Sequence, residues 1–377
     1  MNIQRKILPF ILAFTLALPV PAASAYAEVL VPPSPFGAGA EDGSTQPSAS
    51  APVITAPSSR PSPSDPSAPA PSTWPSAPDP SVVGPAAQGA TGPAVPDPSA
   101  PDSTGSQQPQ SLQKPVVQAE GAVLMDGATG KVLFGKNENQ QFYPASITKV
   151  MTALLVLERC SLSDIVTFSA TATTNLESGA VALGVSEGDQ LTVEQSLYGL
   201  LLKSANEIGN GLAEHVAGSN AAFADLMNEK ARALGCQNTH FANPHGLNDA
   251  THLTTAYDMA LILRAALDHA DFRRIDTTTS YDFPALKNQE AKTITMGHKM
   301  LYPTDSRYYA GMIGGKTGYT SKAGNTLVTA VERDGVRLIA VVLKSKGTHY
   351  TDTRAMLDYG FANYQTLMGE GNGQIGN

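Results

Sequence analysis

Proline limits how much of this chain can fold, because 21 of its 28 prolines lie between residues 31 and 115. Proline fixes φ and has no N–H to donate, so a stretch this rich in it sustains neither helix nor central strand. From Glu28 to Gln113 the chain carries seven acidic residues, a single base (Arg60) and much Ser, Ala, Gly and Thr. That composition buries too little apolar surface to offset the entropy of ordering, which predicts a disordered, partly polyproline spacer over 28–115. A folded region is expected over 116–365, followed by a flexible tail, 366–377.

The first 27 residues read differently. Arg5 and Lys6 precede the apolar run 7–18, and both Ala23-Ser24-Ala25 and Ala25-Tyr26-Ala27 fit an A-x-A cleavage site. This is the pattern of a signal peptide, 1–27, and it predicts export to the cell envelope or beyond. Pro9, Pro19 and Pro21 make the segment a poor membrane span, so attachment to a membrane is expected only if the signal stays uncleaved. Of the formal charge of −8, the signal carries +2 and residues 28–113 carry −6, which leaves −4 for the rest. A mildly acidic folded region argues against nucleic acid as a partner. Cys160 and Cys236 establish no disulfide framework; buried thiols are the simpler expectation and a bridge the alternative.

Short apolar runs at 122–126 and 131–134 flank Gly127-Ala128-Thr129-Gly130, and runs at 326–332 and 336–343 flank Arg333-Asp334-Gly335. These read as hairpins at opposite ends of the folded region, and a single antiparallel sheet assembled from both ends follows. Residues 191–270 between them are helical by pattern, with Thr192 and Gln195 as a capping box and Gly218 and Gly235 as stops.

Three short motifs carry chemistry. Ser146-Ile147-Thr148-Lys149 places a hydroxyl and an amine one turn apart at the start of an apolar, helix-periodic run that follows Pro144. There the unpaired N–H of Ser146 faces a developing oxyanion, while the helix dipole and burial disfavour the ammonium of Lys149 and leave an amine that accepts the serine proton. The pattern alone is weak: Ser111-Leu112-Gln113-Lys114 repeats it inside the proline-rich tract. Ser204-Ala205-Asn206 falls at a break between helices, where an N-cap is the plainer reading. Lys316-Thr317-Gly318 lies on a glycine-rich approach to a strand, offering a cation, a hydroxyl and room for a substrate backbone.

In order and spacing these motifs resemble the set shared by penicillin-binding proteins and class A β-lactamases. The wording of residues 142–152, 243–247 (Asn-Pro-His-Gly-Leu), 254–260 and 316–320 is closer still to the D-alanyl-D-alanine carboxypeptidases among the low-molecular-mass penicillin-binding proteins. The resemblance spans about 117–365. It implies an α/β domain with an antiparallel five-stranded sheet flanked by helices and a helical insertion. It also implies a serine peptidase in which Ser146 attacks a terminal D-Ala-D-Ala of the peptidoglycan stem peptide, with β-lactams as covalent inhibitors. Carried over residue by residue, Lys149 is the base, and Ser204 and Asn206 relay the proton and position substrate. Lys316, Thr317 and Gly318 bind it, and the N–H groups of Ser146 and Tyr319 form the oxyanion hole. No metal or cofactor is implied, and the histidines His240, His245 and His252 lack a zinc-peptidase pattern. The family usually has an arginine upstream of the final helix; this chain has His349 there, so His349 is expected to touch the carboxylate and Arg354 to face elsewhere. Two rival readings are a catalytically silent wall-binding protein of the same fold and a β-lactamase.

Overall fold

The computed structural model describes residues 113–369 except Asn175 and Ser178. The expected signal peptide and nearly all of the expected spacer lie outside the described residues.

Strands β1 (Gly121–Asp126) and β2 (Val132–Lys136) form the first hairpin, and a 3₁₀ turn, Ala145–Thr148, then runs directly into α1 (Lys149–Arg159). The middle of the chain holds β3 (Ile165–Thr167), α2 (Ala170–Thr173), β4 (Gln190–Thr192), α3 (Val193–Leu202), α4 (Asn206–Ala217) and α5 (Asn220–Ala233). It continues through α6 (Ala256–Ala266), α7 (Ala270–Asp276), β5 (Ser280–Phe283) and β6 (Lys292–Thr295). Then come β7 (Met312–Thr320), β8 (Gly324–Arg333), β9 (Val336–Ser345) and α8 (His349–Gly369).

The two ends of the described region meet in one antiparallel five-stranded sheet of order β2-β1-β9-β8-β7. Its last hairpin turns at Asp334 and Gly335, whose φ values of +50° and +77° are the mirror-image turn that matches strand twist. Side chains alternate across the sheet. On β9, Ile339, Val341 and Leu343 join the core shared with α1, α3 and α6, while Leu338, Ala340 and Val342 join a second core under α8. Covering both faces explains why β1 and β9 read as continuous apolar runs rather than alternating ones.

The caps follow the sequence. Thr192 and Gln195 exchange bonds of 3.0 and 2.8 Å at the start of α3, Thr255 caps α6, and Gly218 closes α4 at φ +77°. Residues 366–369, expected in the tail, instead close α8: Leu367 is buried, and Lys131 Nζ donates to the carbonyls of Leu367 and Met368 at 2.7 and 3.1 Å. Cys160 and Cys236 are free thiols, and burial pushes Cys236 up to about 12. Among the described residues no helix is long and apolar enough to cross a membrane.

Candidate active site

Ser146 lies in the 3₁₀ turn, not in the α-helix that the sequence pattern predicts. With three residues per turn, positions 146 and 149 eclipse, which draws the two side chains closer than an α-helical turn does. The residue before the serine, Ala145, is left-handed at φ +52°, a conformation that costs a non-glycine residue about 1–3 kcal/mol and needs support. Three contacts supply it. Thr326 Oγ1 donates to the Pro144 carbonyl at 2.8 Å, and Thr148 Oγ1 donates to the Ala145 carbonyl at 2.8 Å. His252 Nδ1 accepts from the Ala242 amide, so its Nε2 carries the proton and donates to Thr148 Oγ1 at 2.9 Å. The loop 243–247 presses on the same backbone through Gly246, at φ +90°, where a Cβ would stand 1.9 Å from the Ala145 oxygen.

Lys149 is fully buried, and its Nζ lies 3.1 Å from Ser146 Oγ, 2.8 Å from Asn206 Oδ1 and 2.7 Å from the His245 carbonyl. The last two atoms only accept. A neutral amine that gives its two N–H groups to them has its lone pair left for the serine hydroxyl, which is the geometry of a general base. Burial drives the lysine well below its ordinary 10.5, and the charge of Lys316 drives it further, against an opposing pull from Glu207. Burial thus acts as the sequence predicts, and the charge of Lys316 is a second cause that the sequence reading did not name.

Asn206 holds both sides of the site, since its Nδ2 donates to the Val181 carbonyl at 2.9 Å. Beside it Glu207, buried, accepts from the Leu183 and Gly184 amides at 2.5 and 3.0 Å and fixes the same loop. The N-cap of α4 is Ala205, without a side-chain bond, so the capping reading of Ser204 fails. Ser204 is left-handed at φ +64°, and its buried Oγ has no partner among the described residues.

The third motif sits on β7, the edge strand of the sheet, packed against the 3₁₀ turn. A Cβ on Gly318 would lie 2.4 Å from Thr326 Oγ1 and 2.8 Å from the Ser146 nitrogen, so only glycine allows this approach. Lys316 is buried, and desolvation lowers it to about 8 against the pull of Asp276. Asp276, at the end of α7, accepts from the Gly315 amide; burial raises it to about 7, and that amide and Lys316 hold it from rising further. His298 lies in the same region with Nδ1 accepting from Met300 and Nε2 donating to Thr329 Oγ1, and burial first and Lys316 second lower it to about 3.

A cleft of about 480 Å³, within the ≈300–1,000 Å³ of small-ligand sites, brings Ser146, Ser204, Lys316, Thr317, Gly318, Tyr319 and His349 together. Asn206 borders a smaller lobe that also reaches Ser146, and Lys149 stands behind the serine. Arg354 is outside: its Nη2 donates to the Tyr308 carbonyl at 2.6 Å and its guanidinium covers the Tyr309 ring. Sequence reasoning missed Arg307, which lines the cleft, and Asp276 and His298 beneath it; each comes from a segment without a motif. A cleft of comparable size beside the β8–β9 turn and α8 contains no nucleophile–base pair.

The histidines of the metal hypothesis are spent on protein partners, His245 on the Leu247 amide, His252 as above and His240 on the Thr251 carbonyl. Among the described residues one potential ligand cluster occurs, Cys160, Asp164 and His215, and its aspartate already caps the Ser161 amide.

Residues 108–347 match the sequence profile of the D-alanyl-D-alanine carboxypeptidase family, peptidase family S11. The chain belongs to this family. D-alanyl-D-alanine carboxypeptidase DacB2 of Mycobacterium tuberculosis is 36% identical over 259 residues, 67% of this chain and 85% of the relative. DacF of Bacillus subtilis is 32% identical over 274 residues, 71% and 68% of the two chains, and DacC of Escherichia coli is 32% identical over 68% and 65%. This chain thus spans about two thirds of the length of the latter two carboxypeptidases. Among solved structures, the Streptomyces K15 DD-transpeptidase superposes with a TM-score of 0.61 at 30% identity, over 67% of this chain and all of the other. A carboxypeptidase from M. tuberculosis does so at 0.60 and 34%, over 67% and 95%. Membership of this serine peptidase family, with the penicillin-binding fold, accounts for the antiparallel sheet and makes the chain an enzyme of the hydrolase class.

Proposed function

We propose that this protein is an exported serine carboxypeptidase that removes the terminal D-alanine from peptidoglycan stem pentapeptides. The observation that carries the reading is the position of Lys149 Nζ, tied to two obligate acceptors with Ser146 Oγ in its remaining direction. Neutral Lys149 takes the hydroxyl proton as Oγ bonds to the carbonyl carbon of the penultimate D-alanine. The negative charge on that oxygen falls to the amides of Ser146 and Tyr319. When the C–N bond breaks, the proton returns to the departing amine of D-alanine through Lys149 and Ser204, whose hydroxyl has no partner among the described residues. Water then attacks the Ser146 ester under the same base, and the shortened stem leaves. A β-lactam carbonyl presents the same electrophile, which makes penicillin a covalent inhibitor of Ser146.

The complete set Ser146, Lys149, Ser204, Asn206 and Lys316 weighs against a silent wall-binding role. The carboxypeptidase-like wording of residues 243–247 weighs against a β-lactamase, for which rapid release of hydrolysed penicillin is the distinguishing behaviour. The deciding experiment incubates purified protein with a pentapeptide ending in D-Ala-D-Ala and measures free D-alanine. Steady release is expected; none, under conditions where penicillin labels Ser146, overturns the proposal.

A further inference from the structure

A carboxypeptidase reading requires something to hold the carboxylate of the departing residue, and the cations around the cleft narrow the choice. Lys149 has its three directions filled by Ser146, Asn206 and His245. Arg354 is spent on Tyr308 and Tyr309, outside the cleft. Lys299 directs its ammonium over the Tyr302 ring, 5.3 Å from the centroid. His349, the contact expected from sequence, is half-buried, and burial together with the charge of Arg307 pushes it below its ordinary value against the pull of Asp352. Its charged form is thus disfavoured before substrate arrives, so that it offers a hydrogen bond and no permanent charge. Lys316 stands on β7 beside the reacting serine, and Lys203, the exposed C-cap residue of α3, lines the cleft with no side-chain bond to hold it among the described residues, which leaves Arg307 as the pre-organised cation of the outer cleft.

Arg307 is held on two sides and open on a third. Its Nε and Nη2 donate to the two carboxylate oxygens of Asp305 at 2.7 and 2.8 Å. Its guanidinium lies over the Tyr350 ring at 5.1 Å, and Tyr350 is itself fixed by accepting the Lys299 amide at 3.0 Å. Nη1 has no partner among the described residues. The Tyr350 ring also touches His349, with centroids 4.5 Å apart, and the buried Nδ1 of His349 is a second unpartnered atom at the same end of the cleft. An ion pair that immobilises a guanidinium while leaving one nitrogen uncommitted is pre-organised for a further anion, because the entropy of ordering a long side chain has been lost before binding.

We propose that Arg307, in the segment before β7, binds the terminal carboxylate of the substrate through Nη1. His349 and the Thr317 hydroxyl complete the contact as neutral partners. Arg307 is therefore a specificity residue: it selects peptides that end in a free acid and takes no part in the bond-breaking steps.

The proposal rests on the carboxypeptidase reading, and one experiment separates the two. Wild type, Arg307→Ala, Arg307→Lys and His349→Ala are compared on a pentapeptide ending in D-Ala-D-Ala and on the same peptide capped as its C-terminal amide. Release of D-alanine or D-alaninamide gives kcat/KM for each. Wild type is expected to prefer the acid, and Arg307→Ala to lower the acid-to-amide ratio by about 10–100-fold, as removal of a charged hydrogen bond does. Arg307→Lys should fall between, and His349→Ala should lower the ratio less than Arg307→Ala. The amide reaction within each variant controls for folding, because a damaged fold lowers both rates and leaves the ratio alone. An undiminished ratio in Arg307→Ala, or a larger drop in His349→Ala, overturns the assignment of Arg307 while the carboxypeptidase reading stands. Absence of release from both peptides by wild type overturns that reading and this one with it.

Discussion

The two ends of the cleft are built on opposite principles. At the reacting end, every polar atom of Lys149 and Asn206 that matters to the chemistry has a protein partner before substrate arrives. At the recognition end, His349 Nδ1 is buried with no partner among the described residues. A buried polar group without a hydrogen bond costs about 1–3 kcal/mol, a cost that a ligand removes when it supplies the missing partner. The contrast teaches where each kind of energy belongs. Geometry that has to be right at the instant of reaction is fixed in advance, whereas groups meant to distinguish one ligand from another are left wanting.

The sharpest test of the filled end is its nucleophile. Ser146→Ala should lower D-alanine release by at least ~10³-fold and abolish labelling by penicillin, with thermal unfolding close to wild type. Covalent label persisting on that variant would place the nucleophile elsewhere.

Next comes the base, for which Lys149→Ala should slow acylation by about 10²–10⁴-fold. Because burial and Lys316 depress this lysine in the folded protein, wild-type acylation should be full above its lowered pKa and fall as acid protonates the amine. Lys149→Arg, cationic throughout, should not recover at any pH between 5 and 10. An acylation rate that Lys149→Ala leaves alone removes the lysine from its role.

The recognition end answers to a different pH range. Lys316, at about 8, is held up by the carboxylate of Asp276, so Asp276→Asn should lower Lys316 further and move the alkaline fall of kcat/KM to lower pH by roughly one unit. The same group marks stability. Its folded value, about 7, is above the unfolded 3.8, so between these the native state binds the extra proton and wild-type stability falls as pH rises through that window. Asp276→Asn should flatten that slope in thermal melts; a variant whose alkaline limb and melt profile coincide with wild type would show that Asp276 does not govern Lys316.

Smaller effects separate the neutral contact from a residue outside the site. His349→Ala should reduce kcat/KM about fivefold, the worth of one uncharged hydrogen bond, and Arg354→Ala less than twofold. The reverse ranking would bring Arg354 back into the cleft. Smallest of all is the effect of the proline-rich tract: a chain beginning at Val116 should turn over soluble peptide at the full rate, because Val117 is buried and Gln118 and Ala119 already donate to Asp352. Beginning at Gly121 instead should destabilise the fold by removing those contacts, and equal melting temperatures for the two truncations would deny them any weight.

Much of the architecture was legible because it rests on local signals. Both hairpins announce themselves by turn residues between apolar runs, and Thr192, Thr255 and Gly218 mark helix ends where the chain does begin and end them. The chemistry-bearing motifs were legible for the same reason, each being confined to a few residues. What escaped depends on distance along the chain. Asp276, His298 and Arg307 have no periodicity or spacing to report them, and their importance arises only when α7 and the segment before β7 fold against Lys316 and the cleft. The 3₁₀ turn at Ser146 escaped because residues far away, Thr326 and Gly246, decide its backbone conformation.

The position of β7 at the margin of the sheet has a last consequence. A strand with a neighbour on one side only carries main-chain donors and acceptors that another extended chain could pair with, and in many proteins that invites unwanted association. Here Gly318 packs against the turn that bears Ser146 while Tyr319 stays exposed, so the open edge of the strand borders the cleft. A short peptide laid along it would pair as a temporary sixth strand, held through its backbone irrespective of its side chains. A substrate bound in this way would stand as a missing piece of the enzyme's own sheet.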